Sequence, residues 1–334
     1  MAKKNSSVLP DSAKKYQPFR YPGGKSKLAI NPAFRAMLYP IAASGDTFYE
    51  GFVGSAAVTL DIALHFPEKK LVVCDKDFTI SGFWELIANG TDDEVAQLES
   101  LILNFPKIEG GPDPSLGDEG QYNAKVRYFR QLRATSPTTL VERAYHALFF
   151  NRTTFSGIAM SQPIGGYNQT SKWTIDCRYN APLLVEKIRN LRKLLHGRLT
   201  VYNEDILVWL NRIPAGVPLY LDPPYYVKGE ALYPVAMENF EHGNLARALA
   251  ARTNWVMSYD ICPEITGHYE NQTLLQFPFR YSINGTKKNW NDQNEYLICS
   301  PEIPTVEFEA ALIKWKQEVE QKATKAKVVG EEND

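Results

Sequence analysis

Residues 217–221 form an apolar run of strand length, and Asp222-Pro223-Pro224-Tyr225 follows it directly. Two successive prolines fix φ and lack N–H donors, so regular structure stops there. An Asp, a proline carbonyl and a Tyr therefore stand on a stiff loop at the C-terminal end of a buried strand. Open α/β sheets hold their ligands at that end. The Asp222 carboxylate and the Pro223 carbonyl are two acceptors able to receive both hydrogens of a planar amino group, and the Tyr225 ring can stack on the base that carries it. Such a group suits an adenine turned out of a duplex. A proline-rich turn with no ligand is the alternative, and the tetrapeptide alone does not decide between them.

Other segments narrow the choice. Asp46-Thr47-Phe48-Tyr49-Glu50-Gly51-Phe52-Val53-Gly54-Ser55-Ala56-Ala57 ends a short strand, turns on two glycines and enters a helix. Glycine there lets backbone approach a ligand closely. Upstream stands Phe19-Arg20-Tyr21-Pro22-Gly23-Gly24-Lys25-Ser26-Lys27, and downstream a strand over 70–74 ends in Asp75-Lys76-Asp77. An acid at the tip of a second strand is the usual acceptor for ribose hydroxyls in this architecture.

In this order, FRYPGGKSK, YEGFVGSAAV, LVVCDKD, NED and DPPYY resemble the Dam-type (D12 class, alpha group) DNA adenine-specific methyltransferases, over roughly residues 19–299. The resemblance implies a Rossmann-like S-adenosylmethionine-dependent methyltransferase sheet with an inserted, mainly helical DNA-recognition domain. It implies S-adenosyl-L-methionine as cofactor and double-stranded DNA as partner. Tyr21, Gly23, Gly24 and Lys25 match the family's N-terminal cofactor motif, and Glu50, Phe52 and Gly54 its glycine loop. Asp75 matches the ribose acid. Asp205, with Ile206 beside it, matches the residue that meets the cofactor's adenine, and Asp205 also reads as a helix N-cap. Asp222, Pro223, Pro224 and Tyr225 match the catalytic loop, with Asp222 also beside the cofactor. Lys25 is open between touching cofactor or target and capping a turn. The chain departs from the family at Gly51, where Pro is usual, and at Ala56, where a second Gly is usual; both put cofactor affinity in question.

The charge distribution supports a nucleic-acid partner. The net charge is −1, but residues 121–200 hold 13 Lys/Arg against 3 Asp/Glu, a net +10, whereas residues 81–120 are net −8. Phosphate neutralisation needs local rather than overall positive charge. The segment beginning Asn151-Arg152-Thr153 resembles the family's DNA-facing stretch. After it, three glycines and a predicted strand over 173–175 suggest a hairpin bearing Arg152, Asn168, Gln169, Lys172 and Arg178. Arg, Asn and Gln read base edges bidentately, so Asn151, Arg152, Asn168, Gln169, Lys172 and Arg178 are the candidate DNA contacts. A scaffold loop wetted only by water is the alternative for each.

Periodicity and breakers predict strands at 48, 71–74, 199–202, 217–221, 254–258, 273–277 and 295–299. Helices are expected over 26–38, 55–65, 92–104, 123–133, 139–150, 205–211 and 241–252, with a mobile connector at 106–120. The division expected is a disordered tail 1–16, a catalytic domain 17–77 and 198–305, an inserted recognition domain 78–197, and a charged C-terminal helix or tail 306–334 that frays. A closing hairpin near 280–297 carries Lys287 and Lys288.

With 334 residues, 44% hydrophobic, the chain can bury a substantial core. No apolar run reaches membrane-spanning length, and the four cysteines and five histidines show no metal pattern. A soluble cytoplasmic protein without metal is the expectation, monomeric by default, with a restriction endonuclease of the same system open as a partner. Besides adenine methylation, two other readings stand: methylation of a cytosine amino or protein amide group, and a catalytically silent DNA-binding relative. Asp222 disfavours the former, because such enzymes usually carry Ser or Asn there.

Overall fold

The computed structural model describes residues 15–20, 24–224, 226, 239–260, 262–278 and 294–331. Tyr21, Gly23, Tyr225, residues 1–14 of the tail expected over 1–16, and Lys287 and Lys288 lie outside them.

Seven strands form one sheet: β1 (Thr47–Gly51), β2 (Lys70–Cys74), β3 (Leu199–Tyr202), β4 (Leu219–Leu221), β5 (Trp255–Asp260), β6 (Thr273–Pro278) and β7 (Asn294–Cys299). The order is β3-β2-β1-β4-β5-β7-β6. The first five are parallel, and β7 runs antiparallel between β5 and β6. This is a Rossmann-like methyltransferase sheet. Chain direction across it reverses between β1 and β4, so the crevice beyond their C-terminal ends is the topological switch point.

Both faces of the sheet are buried, as parallel strands require. Side-chain alternation splits β4 and β5 between two apolar clusters. Tyr220 and Val256 join one with Phe34 and Phe48, whereas Leu219, Leu221, Trp255, Met257 and Tyr259 join the other with Trp209.

Local signals set the helix ends. The helix expected over 26–38 is two helices, α1 (Ser26–Ala29) and α2 (Pro32–Ala43). Pro32 cannot donate back into α1, and Asn31 Oδ1 caps α2 through the Ala33 N–H at 2.8 Å. After β1 comes α3 (Ala57–His65); after β2 comes α4 (Phe78–Asn89), capped by Asp77. Gly82 lets α4 pack closely on the helix over Leu140–Thr153, since a Cβ there would stand 2.7 Å from Arg143 Cβ. The insert helices α5 (Asp92–Asn104) and α7 (Leu140–Thr153) begin with reciprocal capping boxes, Thr91 with Glu94 and Thr139 with Glu142. Between them lies α6 (Ala124–Ala134), and α8 (Ala181–Leu195) leads back to β3. The remainder are α9 (Ile206–Leu210), α10 (Asn239–Ala250), α11 (Pro263–His268) and α12 (Val306–Glu331).

Three expectations need correction. The connector over 106–120 contains a 3-10 segment, Pro114–Gln121, anchored to α6 by the Arg130–Glu119 ion pair at 2.6 Å. The expected strand over 173–175 is absent; that stretch is a bend leading into a turn, and the nearby bridge pairs Thr154 with Pro163. The terminal helix is anchored at its start: Phe308 and Leu312 are buried, and Trp315 stacks on Phe277 at 5.8 Å. One apolar cluster also runs from the sheet through Trp84 into Phe105, Phe129, Phe149 and Tyr179, so the insert shares its core with the sheet.

Candidate active site

Asp222 follows β4 immediately, at the switch point. Its side chain is 22% exposed and forms an ion pair with Lys25 Nζ at 2.8 Å, Lys25 itself being 3% exposed. Lys25 sits where α1 begins, its carbonyl accepting from the Ala29 N–H. Of the two roles open for Lys25, the geometry shows a third: it neutralises the Asp of the proline loop. Ser258 Oγ, from β5, donates to the same carboxylate oxygen at 2.9 Å and meets Tyr220 OH at 2.8 Å. Pro223 and Pro224 are buried, so the loop backbone is fixed beneath Asp222. Behind the loop, Tyr226 packs against His242, and His242 Nδ1 bonds to Tyr259 OH.

Across the crevice, Glu50 lies near the end of β1 with its side chain buried, accepting from the Thr59 N–H of α3 at 2.7 Å. Burial, reinforced by the charges of Asp222 and Asp75, pushes its carboxyl up to about 8. The glycine loop that follows is strained: Phe52, Gly54 and Ala56 all have positive φ, at 57°, 43° and 52°. Residues other than glycine are uncommon there, and such conformations gather at functional sites. Ala56 thus adopts the left-handed backbone that a glycine would take. Gly51 packs beneath its neighbours: a Cβ would lie 2.6 Å from both Ile206 Cδ1 and Leu221 Cδ2. The two departures from the family pattern are therefore built into a closed loop.

The loop is held from both sides. Gly54 N–H donates to Asp75 Oδ2 at 2.9 Å, and Gly54 C=O accepts from Trp84 Nε1 at 2.9 Å. Asp75 also accepts from the Asp77 N–H. Burial and then the Asp77 charge push the Asp75 carboxyl up to about 7, although its side chain remains partly exposed. Asp205 caps α9 through the Leu207 N–H at 2.9 Å and pairs with Lys76 at 3.1 Å. Its capping role is visible directly. Ile206 is buried above Gly51, and Gly24 is partly exposed ahead of Lys25. Glu50, Phe52, Gly54, Asp75, Asp205 and Asp222 therefore gather at the C-terminal ends of β1, β2, β3 and β4.

The six insert candidates divide. Asn151 is buried, and its amide accepts from Arg20 N–H at 2.7 Å and donates to Arg20 C=O and Gly157 C=O. Arg152 is buried and donates to Pro18 C=O. Both side chains are directed into the protein, where they anchor the segment leading to Gly24 and Lys25, rather than outward to a groove. Gln169 bonds Ile164 C=O, Gly166 C=O and Ile175 N–H, closing its own loop. Asn168, Lys172 and Arg178 are exposed on that loop. Beside them Trp173 is 62% exposed, with Lys172 over its ring at 5.7 Å.

Much of the basic excess is paired internally. From α6, Lys125 binds Asp176 at 2.6 Å, Arg130 binds Glu119 and lies over Tyr122 and Tyr167, and Arg133 donates to Ala159 C=O. These contacts make α6 a brace for the exposed loop.

The site residues absent from the sequence reading are Ser258, Tyr220, Thr59 and His242. Ser258 has a faint signal as the small hydroxyl side chain inside a mainly apolar strand; the others look like core. Among the described residues no cluster of three His, Cys, Asp or Glu could hold a metal, and no helix is long and apolar enough to cross a membrane.

The sheet order, the proline loop at the switch point and the acid-lined glycine loop define a methyltransferase. The sequence model of the D12 class N6 adenine-specific DNA methyltransferases matches residues 21–283, so the chain belongs to that family and is an adenine-specific DNA methyltransferase. No individually curated protein matches it.

Proposed function

We propose that the protein transfers a methyl group from S-adenosyl-L-methionine to the 6-amino group of an adenine flipped from a specific double-stranded DNA sequence. The observation that carries this is the acid-lined crevice at the switch point. Glu50, Asp75 and Asp222 stand around one glycine loop closely enough for Glu50 to be raised by both of the others. Lys25 offsets Asp222 by direct contact. Such an excess of carboxylate fits a ligand with ammonium and sulfonium charges and a ribose diol. Glu50 and Asp75 would hold it, with Phe52, Gly54, Asp205 and Ile206 along its length and Gly24 and the Tyr21–Gly23 segment closing the motif. When bound, it supplies an electrophilic methyl.

Asp222 and the Pro223 carbonyl accept the two hydrogens of the adenine amino group, and Tyr225 stacks on the ring. Withdrawing those hydrogens toward acceptors raises the availability of the nitrogen lone pair. Preorganised acceptors and orientation supply the rate, and no covalent enzyme intermediate is required. Asn168, Lys172 and Arg178 on the exposed loop of the 78–197 recognition insert contact DNA. The protein works in the cytoplasm as a monomer.

The test is labelled methyl transfer to unmethylated plasmid DNA, followed by nucleoside analysis. Label in N6-methyldeoxyadenosine supports the reading. Label in cytosine, or none with the ligand bound, refutes it.

A further inference from the structure

We infer that Ser258 and Tyr220 are positioning residues that fix the orientation of the Asp222 carboxylate for the reaction. The inference rests on the adenine reading above. Its basis is the direction of a two-bond relay. Ser258 has one hydroxyl hydrogen, and its contact at 2.9 Å is to Asp222 Oδ1, the carboxylate oxygen that pairs with Lys25 and serves there as acceptor. That hydrogen is therefore committed to Asp222. The 2.8 Å contact between Tyr220 and Ser258 must then run from the Tyr220 hydroxyl to Ser258 Oγ. Tyr220 is fit to donate, because burial, and then the charge of Asp222, raises its phenol well above the ordinary value.

Both ends of the relay are rigid. Tyr220 and Ser258 are fully buried in the adjacent parallel strands β4 and β5, in register as Tyr220 with Val256 and Leu221 with Met257. Lys25 and Ser258 converge on one carboxylate oxygen, Oδ1. Among the described residues no donor reaches Oδ2, which is left for an amino group in the crevice. A carboxylate tied at one oxygen cannot rotate to exchange its two oxygens, so the remaining acceptor keeps one direction. Misplacement of a reacting group by about 1 Å can cost a factor of about a hundred in rate. Nothing in the relay touches substrate, which separates it from Asp222 itself.

The experiment is single-turnover methylation by the full chain carrying Ser258→Ala, Tyr220→Phe, or both, with cofactor and DNA affinities measured in parallel. A 2-aminopurine at the target position reports flipping. Ser258→Ala is expected to slow turnover about tenfold or more, with KM for both substrates and the fluorescence amplitude unchanged. Tyr220→Phe is expected to slow it several-fold. The double variant should be little slower than Ser258→Ala, because one relay is being broken. Tyr220→Phe keeps the inference testable if Ser258→Ala does not fold. Turnover equal to wild type in either variant, losses that multiply, or a change confined to KM would overturn the inference and leave the adenine reading standing. A wild-type protein that methylates no adenine would overturn that reading and this inference together.

Discussion

Replacing Glu50 with Gln should reverse part of the pH dependence of stability. The Glu50 side chain is buried, with the Thr59 N–H as its donor at 2.7 Å. Its carboxyl is pushed from 4.5 up to about 8, chiefly by burial. Between those values the folded chain holds a proton that the unfolded chain has released. Stability therefore falls as pH rises through the window, by about 1.4 kcal/mol per pH unit for this one group. From about pH 5 to about pH 8, with the slope easing at both ends, the loss is about 3.5 kcal/mol. Gln keeps an acceptor for Thr59 but does not titrate. Urea unfolding of the ligand-free proteins, wild type and Glu50→Gln, should show the variant's advantage growing with pH across that range. Most other titrating groups cancel in the difference. A difference that is flat with pH, or that shrinks as pH rises, would refute the assignment of Glu50 as a buried, proton-holding acid. The same logic makes a cationic ligand bind more tightly as pH rises through about 8, with proton release that calorimetry in buffers of different ionisation enthalpy can count.

Three further outcomes are expected. Asp222→Ala should abolish methyl transfer while the circular dichroism spectrum persists, since Asp222 is partly exposed and caps no helix; near-normal turnover would sink its role. Asn151→Ala should cost about 1–3 kcal/mol of stability, because the backbone groups of Arg20 and the Gly157 carbonyl lose a buried partner; an unchanged urea midpoint would return Asn151 to the candidates for DNA contact. DNA affinity should fall steeply with salt, and Lys172→Ala should lower the logarithmic slope by about 0.9, one phosphate's share. An unaltered slope would remove Lys172 from the interface.

The arrangement also explains why a chain of net charge −1 can serve this chemistry. Acid is concentrated in the crevice, where the proposed cationic ligand would bind. The basic side chains of α6 hold the exposed loop in place, and Lys172 and Arg178 are left on its surface. Formal charge in the insert thus overstates what is available to phosphate.

Sequence alone located the seven strands, because most are short apolar runs ended by a breaker and such patterns are local, but it misplaced some ends by one or two residues and added a strand over 173–175 that does not form. It also determined the starts of α5 and α7, where Thr-x-x-Glu closes a capping box within one turn, and the residues of the proline and glycine loops. The split of α1 from α2 was equally local, written in Asn31-Pro32, though a continuous apolar periodicity masked it. Tertiary structure decided what those patterns could not carry. Asn151 has the side chain of a base reader, yet its partner is the backbone of Arg20, 131 residues away. Gln169 likewise closes its own loop. Lys25 finds Asp222, and Tyr220 finds Asp222 through Ser258, only because parallel pairing brings β4 beside β5 and α1 over their ends. A polar side chain's type fixes what it can donate or accept; whether a base, a backbone group or a catalytic carboxylate takes up that capacity depends on which distant segment the fold places within 3 Å.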